Sequence, residues 1–454
     1  METDRQAAGP RPGIRALLAS PDFVRLWLLG GVGNAMRWLE MLAAALYVYE
    51  TTGSGLAVAL VSAVRTLPML LFGALAGVVS DAVNRKHILL GGILVSAVCA
   101  LAVCVLALAG VLTPWQVGVA AFVSGGVWAT EMATRRRMVG ESAGAALVSR
   151  AVALDSLTNA STRMVGPLLG SLAYALIGVA GAFAVSAGCY LLACLLVPGI
   201  RHSQQVHPLV LSRVPRDLAE GFAFVRRDPV VLTVLAVTVI MNLFAFTYVA
   251  LVAPLTRLVF HLPAAWAGVL AAAEPLGSMI GGIVLANVTP RAHPRLLMLA
   301  GSALFLAALA AMPLVPGFLA ACGVVMVGGL GLALFGNSQT TIVLTGSPPA
   351  LRSRVMGLIT VCIGAGPLGQ LLIGTLSDRF GPLVAVVTTA VCGLAALGLV
   401  AILSRGAGSP VSAGPVSAGA HPADVPAVRP PATAASTAGN TSPPPAGRRS
   451  SAER

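Results

Sequence analysis

Apolar runs of roughly 20 residues recur along the chain, and each is long enough to cross a ~30 Å hydrocarbon core as a helix. They fall at about 24 to 50, 56 to 79, 87 to 112, 115 to 134, 150 to 177, 180 to 200, 230 to 255, 265 to 288, 296 to 313, 317 to 342, 355 to 376 and 383 to 403. Every backbone polar group in lipid must be paired internally, and a helix does this within a single run of this length. The expectation is an all-α membrane protein with twelve spans. Only 10% of the residues are charged and 57% are hydrophobic, against about a quarter charged in soluble domains, which argues against a soluble enzyme.

The net charge of +13 would suit a nucleic-acid partner if the cations were clustered on one surface. They are not. Arg85 with Lys86, Arg135 to Arg137 with Arg150, the 201 to 228 segment, Arg291 with Arg295, and Arg352 with Arg354 fall in alternate loops. The loops between them hold only Arg257 and Arg379. That alternation is the positive-inside pattern and puts both termini in the cytoplasm. A composition rich in Ala, Gly and Arg with a single Lys suggests a GC-rich bacterial genome, hence a bacterial inner membrane. No short apolar segment with a small-residue cleavage site precedes the first span, so that span is expected to stay as a helix. The seven cysteines lie inside predicted spans with no CxxC spacing, so neither a metal site nor a disulfide framework is expected.

The expected organisation is a cytoplasmic N-terminus (1–23), a six-helix bundle (24–200), a cytoplasmic linker (201–229), a second six-helix bundle (230–404) and a disordered tail (405–454). The linker reads as carrying a short amphipathic helix near Val214 to Arg227. The tail is too rich in Pro, Ala, Ser and Gly to bury a core. The two halves also resemble each other: "SRAVALDSLTNASTRMVGPLLGSL" from Ser149 and "SRVMGLITVCIGAGPLGQLLIGTL" from Ser353 align at an offset of 204, matching Gly170 with Gly374. Parallel duplication is one way secondary transporters build two bundles around a midplane site. By the same span count "GTLSDRFGP", with Asp378 and Arg379, falls on the outer side and receives little mechanistic weight.

"GALAGVVSDAVNRKHILL" from Gly73 lies between the second and third spans. No G-K-[ST] exists in the chain, so ATP hydrolysis is not expected. The stretch resembles the signature loop of the major facilitator superfamily, at Gly77, Ser80, Asp81, Arg85 and Lys86, although Ala82 stands where that family commonly has Arg. An Asp there is stabilised by the N-terminus of a neighbouring helix, here the eleventh near Val355, and loses that contact when bundles separate; a solvated basic loop is the plainer reading. "TRMVGPLLGS", with Gly166, Pro167 and Gly170, resembles an antiporter pattern whose final Gly is Ser171 here; plain helix packing explains the same residues. "TGSGLAVALV", "RTLPMLLFGALAG" and "RSRVMGL" together look like the branch of enterobactin exporters and macrolide efflux proteins, over most of residues 22 to 404. The resemblance implies a twelve-helix secondary transporter, an exporter driven by proton exchange.

A charge near the centre of a membrane helix costs about 2.5 to 3.5 kcal/mol on insertion scales, so it pairs or faces a wet cavity. Five residues qualify: Arg37 and Glu40, three apart on one face and able to pair, then Arg65, Arg163 and Glu274. Glu40 is the first candidate for proton coupling and Glu274 the second, because a poorly solvated carboxylate holds its proton more readily while a nearby Arg opposes this. Arg163 and Arg65 are candidates to neutralise these acids or hold an anionic substrate. Asn34, Asn242 and "GNSQTT" from Gly336 suit interhelical hydrogen bonding or substrate contact. Trp38, Trp128, Trp266 and Phe246 would offer aromatic surface, and Trp115 an interface anchor.

The sequence therefore points to proton-coupled export of a hydrophobic or amphipathic small molecule, a drug or siderophore, by a monomer in the lipid bilayer. No cofactor, metal or nucleic acid is expected, and a proton gradient supplies the energy. An importer of the same fold and a non-transporting membrane binding or regulatory protein are the rivals.

Overall fold

The computed structural model describes residues 14–143, 147–200, 222–288, 292–348 and 351–404, with the side chains of 72–82, 132, 133, 136, 137, 149 and 353 left aside. Most of the expected linker helix and all of the 405–454 tail lie outside these residues. Every regular element among the described residues is helical. A short α1 (Ile14–Leu18) precedes α2 (Pro21–Thr52), α3 (Gly55–Ala82), α4 (Arg85–Leu108), α5 (Pro114–Ala143) and α6 (Val148–Cys194). Then follow α7 (Pro229–Val259), α8 (Ala265–Asn287), α9 (Pro294–Ala311), α10 (Phe318–Gly346), α11 (Arg352–Ile363), α12 (Gly366–Phe380) and α13 (Pro382–Leu403).

Local sequence explains most of the breaks. Ser20 caps α2 by accepting from the Phe23 N–H, Pro21 occupies its first turn, and Gly53 closes it at φ 65°. Asn84 accepts from the Lys86 N–H and starts α4. Gly178, at φ 68° and ψ −174°, interrupts the 47-residue α6 and lets the chain turn there without a Cβ clash. Among the described residues eight helices are long and apolar enough to cross a membrane. Helices α2, α3 and α5 have the length as well, at 32, 28 and 30 residues.

Small residues let helices approach closely where lipid supplies no hydrophobic drive. A Cβ at Gly166 would sit 2.8 Å from the Ala35 carbonyl oxygen, and one at Gly170 would sit 2.5 Å from that of Leu39, so α6 lies directly on α2. Gly268 on α8 approaches the Pro167 carbonyl of α6, and Gly374 on α12 approaches Leu56 of α3, at 2.7 and 2.9 Å by the same measure. These α6–α8 and α12–α3 contacts join helices from before residue 200 to helices from after residue 222. The antiporter-like residues Gly166, Pro167 and Gly170 thus sit at a three-helix junction, where Ser171 Oγ also donates to the Ala265 carbonyl at 3.0 Å.

Candidate functional site

A cavity of about 400 Å³ lies where these helices converge. Helix α2 contributes Asn34, Arg37, Trp38 and Met41, α3 contributes Arg65 and Met69, and α6 contributes Asn159 and Arg163. Asn242, Phe246 and Thr247 of α7, Glu274 of α8 and Gln370 of α12 complete much of the wall, with Trp128 from α5. The α7 stretch is not a regular α-helix: Met241–Ala245 forms a π turn and Phe246–Leu251 a 3₁₀ segment. Irregular backbone at membrane depth is tolerated where it lines a cavity, and π turns recur at functional sites.

Arg163 and Glu274, 111 residues apart, meet across the cavity. The Arg163 Nη2 donates to both Glu274 oxygens at 2.8 and 3.2 Å. The Glu274 side chain is 3% exposed and that of Arg163 is 30% exposed, and the guanidinium also stands 5.5 Å over the Trp38 ring. The pair ties α6 to α8, one on each side of the 201–229 segment, so its making and breaking bears on how the two sets of helices meet.

Arg37 does not pair with Glu40. It makes a buried ion pair with Glu131 of α5, while Glu40 turns away from the cavity and accepts from Ser186 Oγ. Arg65 donates to the Arg37 carbonyl at 3.0 Å, and both guanidiniums act electrostatically on Glu40. Spacing along α2 favours an i,i+3 pair, but burial beside α5 supplies Arg37 with a closer acid. Glu131 was not among the residues singled out on the sequence, because it sits near the end of its span, four residues before Arg135, where a charge can reach the membrane surface.

The signature-loop residues divide. Gly77, Ser80 and Asp81 fall in the last turns of α3, where side chains lie outside the described residues. Arg85 donates to both Glu141 oxygens at 2.7 Å, and Lys86 to the Pro198 and Ile200 carbonyls at 2.9 and 3.2 Å, so both fasten helices of one half to each other. Asn34 donates to Asn159 at 2.8 Å and to Thr162, and Asn242 to the Thr238 carbonyl at 2.9 Å, while both also line the cavity. Trp38, Trp128 and Phe246 line it too. Trp266 packs edge-on against Phe318 with ring centres 5.6 Å apart, away from that wall. Trp115 is exposed, as an interface anchor would be.

At the Glu50 end of α2, polar contacts join helices of the two sets. Glu50 pairs with Arg257 of α7 and accepts from Tyr174 at 2.6 Å. Asp378, at the C-terminal end of α12, accepts from Ser54 Oγ at 2.6 Å and from the Leu56 N–H at 3.1 Å, where α3 begins. This Asp, set aside on the sequence, thus occupies a helix N-terminus where a carboxylate is favoured. Towards the other end a second cavity of about 490 Å³ shares Arg163 and Phe246 and reaches Gly336 and Asn337 on α10.

A chamber between two sets of membrane helices, walled by paired charges, amides and aromatic rings, defines a membrane transporter of small molecules. The chain belongs to the family of transmembrane secretion effectors, which matches residues 14–410, and so to the major facilitator transporters rather than the enzymes. It is 26% identical over 373 residues to the multidrug efflux pump Tap of Mycolicibacterium fortuitum, covering 78% of this chain and 88% of that protein. To the enterobactin exporter EntS of Citrobacter koseri it is 28% identical over 270 residues, covering 57% of this chain and 61% of the exporter, under two thirds of that relative's length. Among solved structures, an inward-facing, unoccupied bacterial homologue of the human lysosomal transporter Spinster superposes with a TM-score of 0.69 over 85% of this chain and 96% of that one, at 15% identity. The nucleoside transporter NupG superposes at 0.64, at 13% identity over 84% of this chain and 98% of that one, so the fold is the common ground.

Proposed function

We propose that this protein exports amphipathic small molecules from the bacterial cytoplasm by proton antiport and alternating access, with two six-helix bundles rocking about the central cavity. Twelve spans follow if α2, α3 and α5 join the eight apolar helices and α6 counts twice, on either side of Gly178. With the basic loops and both termini cytoplasmic, the Glu50 end is outer and the conformation described here is closed to the outside.

The observation that carries this reading is the half-buried Arg163–Glu274 pair, which lines the cavity and bridges the two halves. A proton taken up by Glu274 from the outside neutralises the carboxylate and loosens its tie to Arg163; release to the inside restores the pair. Substrate moving the opposite way between these states completes antiport. Export, rather than import, draws support from the efflux and exporter relatives. The test is efflux of a panel of dyes and siderophores from cells expressing wild type, Glu40→Gln or Glu274→Gln, with and without a protonophore. Protonophore-sensitive efflux lost in Glu274→Gln at unchanged membrane abundance supports the proposal. Accumulation of the panel compounds above control cells would favour an importer, and no change in any compound a non-transporting protein.

A further inference from the structure

Glu40 is 6% exposed and does not line the main cavity, yet a second line of charge runs from it towards the α2 N-terminal end. Its members come from four helices: Glu40 and Arg37 on α2, Arg65 on α3, Glu131 and Arg135 on α5, and Asp155 and Tyr190 on α6, while Cys99 of α4 also faces Glu40. Arg135 pairs with Asp155 as Arg37 pairs with Glu131. Both ion pairs border one pocket of about 80 Å³ that also touches Asn34 and Asn159. At about 30 Å³ of liquid per water this holds at least two, with polar groups on several sides to bind them.

The floor of that pocket is cut into α2 by missing side chains. A Cβ at Gly30 would overlap the Arg135 guanidinium, and one at Gly33 would lie 3.2 Å from Arg37 Nη2 and 3.6 Å from Glu131 Oε1. The "GGVGN" run is therefore a groove for charged side chains. Ionisable groups within a membrane are costly and mark proton or ion pathways by default.

We propose that Glu131 is a proton-exchanging carboxylate, reached from the α2 N-terminal end through this glycine-floored seam, which shares Asn34, Arg37, Trp128 and Asn159 with the wall of the substrate cavity. The inference rests on the proton-driven reading above and adds a site in the first half. Arg37 connects the two spaces, because it pairs with Glu131 and lines the main cavity. A proton on Glu131 leaves the Arg37 charge uncompensated at the cavity wall, which repels a cationic amphiphile. A cation bound there conversely favours the ionised Glu131. Proton and organic cation thereby exclude each other, as antiport requires, without sharing an atom.

The test is the infrared difference spectrum between acidic and neutral pH of the purified protein in lipid nanodiscs, read in the carbonyl region of protonated carboxylic acids. The wild type is expected to show a band that disappears in Glu131→Gln, shifts in Glu131→Asp and persists in Glu274→Gln. The double variant Arg37→Gln/Glu131→Gln, which leaves no unpaired charge, is expected to lose it as well and guards against misfolding of the single one. An unchanged band set in Glu131→Gln and in the double variant would overturn the proposal. Ethidium efflux read in parallel separates the two ideas: proton-driven efflux without a Glu131 band removes this site and keeps export, whereas the band without efflux removes export and keeps the site.

Discussion

In the proposed orientation the contacts at the Glu50 end set how far the closed-outside state is favoured, and Asp378→Ala tests them. The substitution removes the bonds from Ser54 Oγ and the Leu56 N–H. Each is worth about 0.5–1.5 kcal/mol net, and an anion at a helix N-terminus adds about 0.3–1 kcal/mol. Asp378 is exposed, which takes each term to its lower end. The sum is about 1–2 kcal/mol, or a shift of about 5- to 30-fold towards the open-outside state at 1.4 kcal/mol per tenfold. Adding Glu50→Gln breaks the exposed pair with Arg257, worth about 0–1 kcal/mol, and weakens the Tyr174 bond. The assay is the rate at which a membrane-impermeant maleimide, added outside, labels Ala45→Cys in a cysteine-free background. Ala45 lines a small pocket beneath the outer contacts, so labelling follows the open fraction. Labelling in Asp378→Ala and the double variant at the parental rate would refute the reasoning.

Other outcomes follow from the same geometry. Gly170→Leu, whose Cβ would meet the Leu39 carbonyl at 2.5 Å, forces α6 off α2 and is expected to cost about 1–3 kcal/mol or more, read as a lower unfolding temperature in detergent. Glu131→Ala strands the Arg37 charge at about 3–5 kcal/mol, so the neutral double variant Arg37→Gln/Glu131→Gln should melt above the single one. Trp38→Ala removes the ring under Arg163, a contact worth about 0.5–2 kcal/mol, and should weaken binding of aromatic substrates, while Trp266→Ala leaves binding unchanged in an equilibrium binding assay.

Fold class was legible because the membrane imposes a single length scale on every span, and the apolar runs display it directly. The halves of α6 were visible as two runs, although the turn between them rests on one glycine conformation. Pairing was less accessible. Nothing in local spacing joins Arg163 to Glu274 across 111 residues, and spacing favoured Glu40 as the partner of Arg37 where packing supplies Glu131. Asp378 was set aside because the span count put its loop on the outer side; its role depends on where α3 begins in space. The irregular turns of α7 left no clear trace in "MNLFAFTYVAL", because apolar residues of that kind suit α, π and 3₁₀ geometry alike.

The central claim is that a proton gradient drives outward movement through the Arg163–Glu274 cavity. Its most direct test is ethidium uptake into everted membrane vesicles carrying the protein, with the lumen made acidic. Accumulation that collapses with the gradient and is absent in Glu274→Gln vesicles is the predicted result. Uptake that only equilibrates ethidium, indifferent to the gradient and to Glu274, would contradict the account.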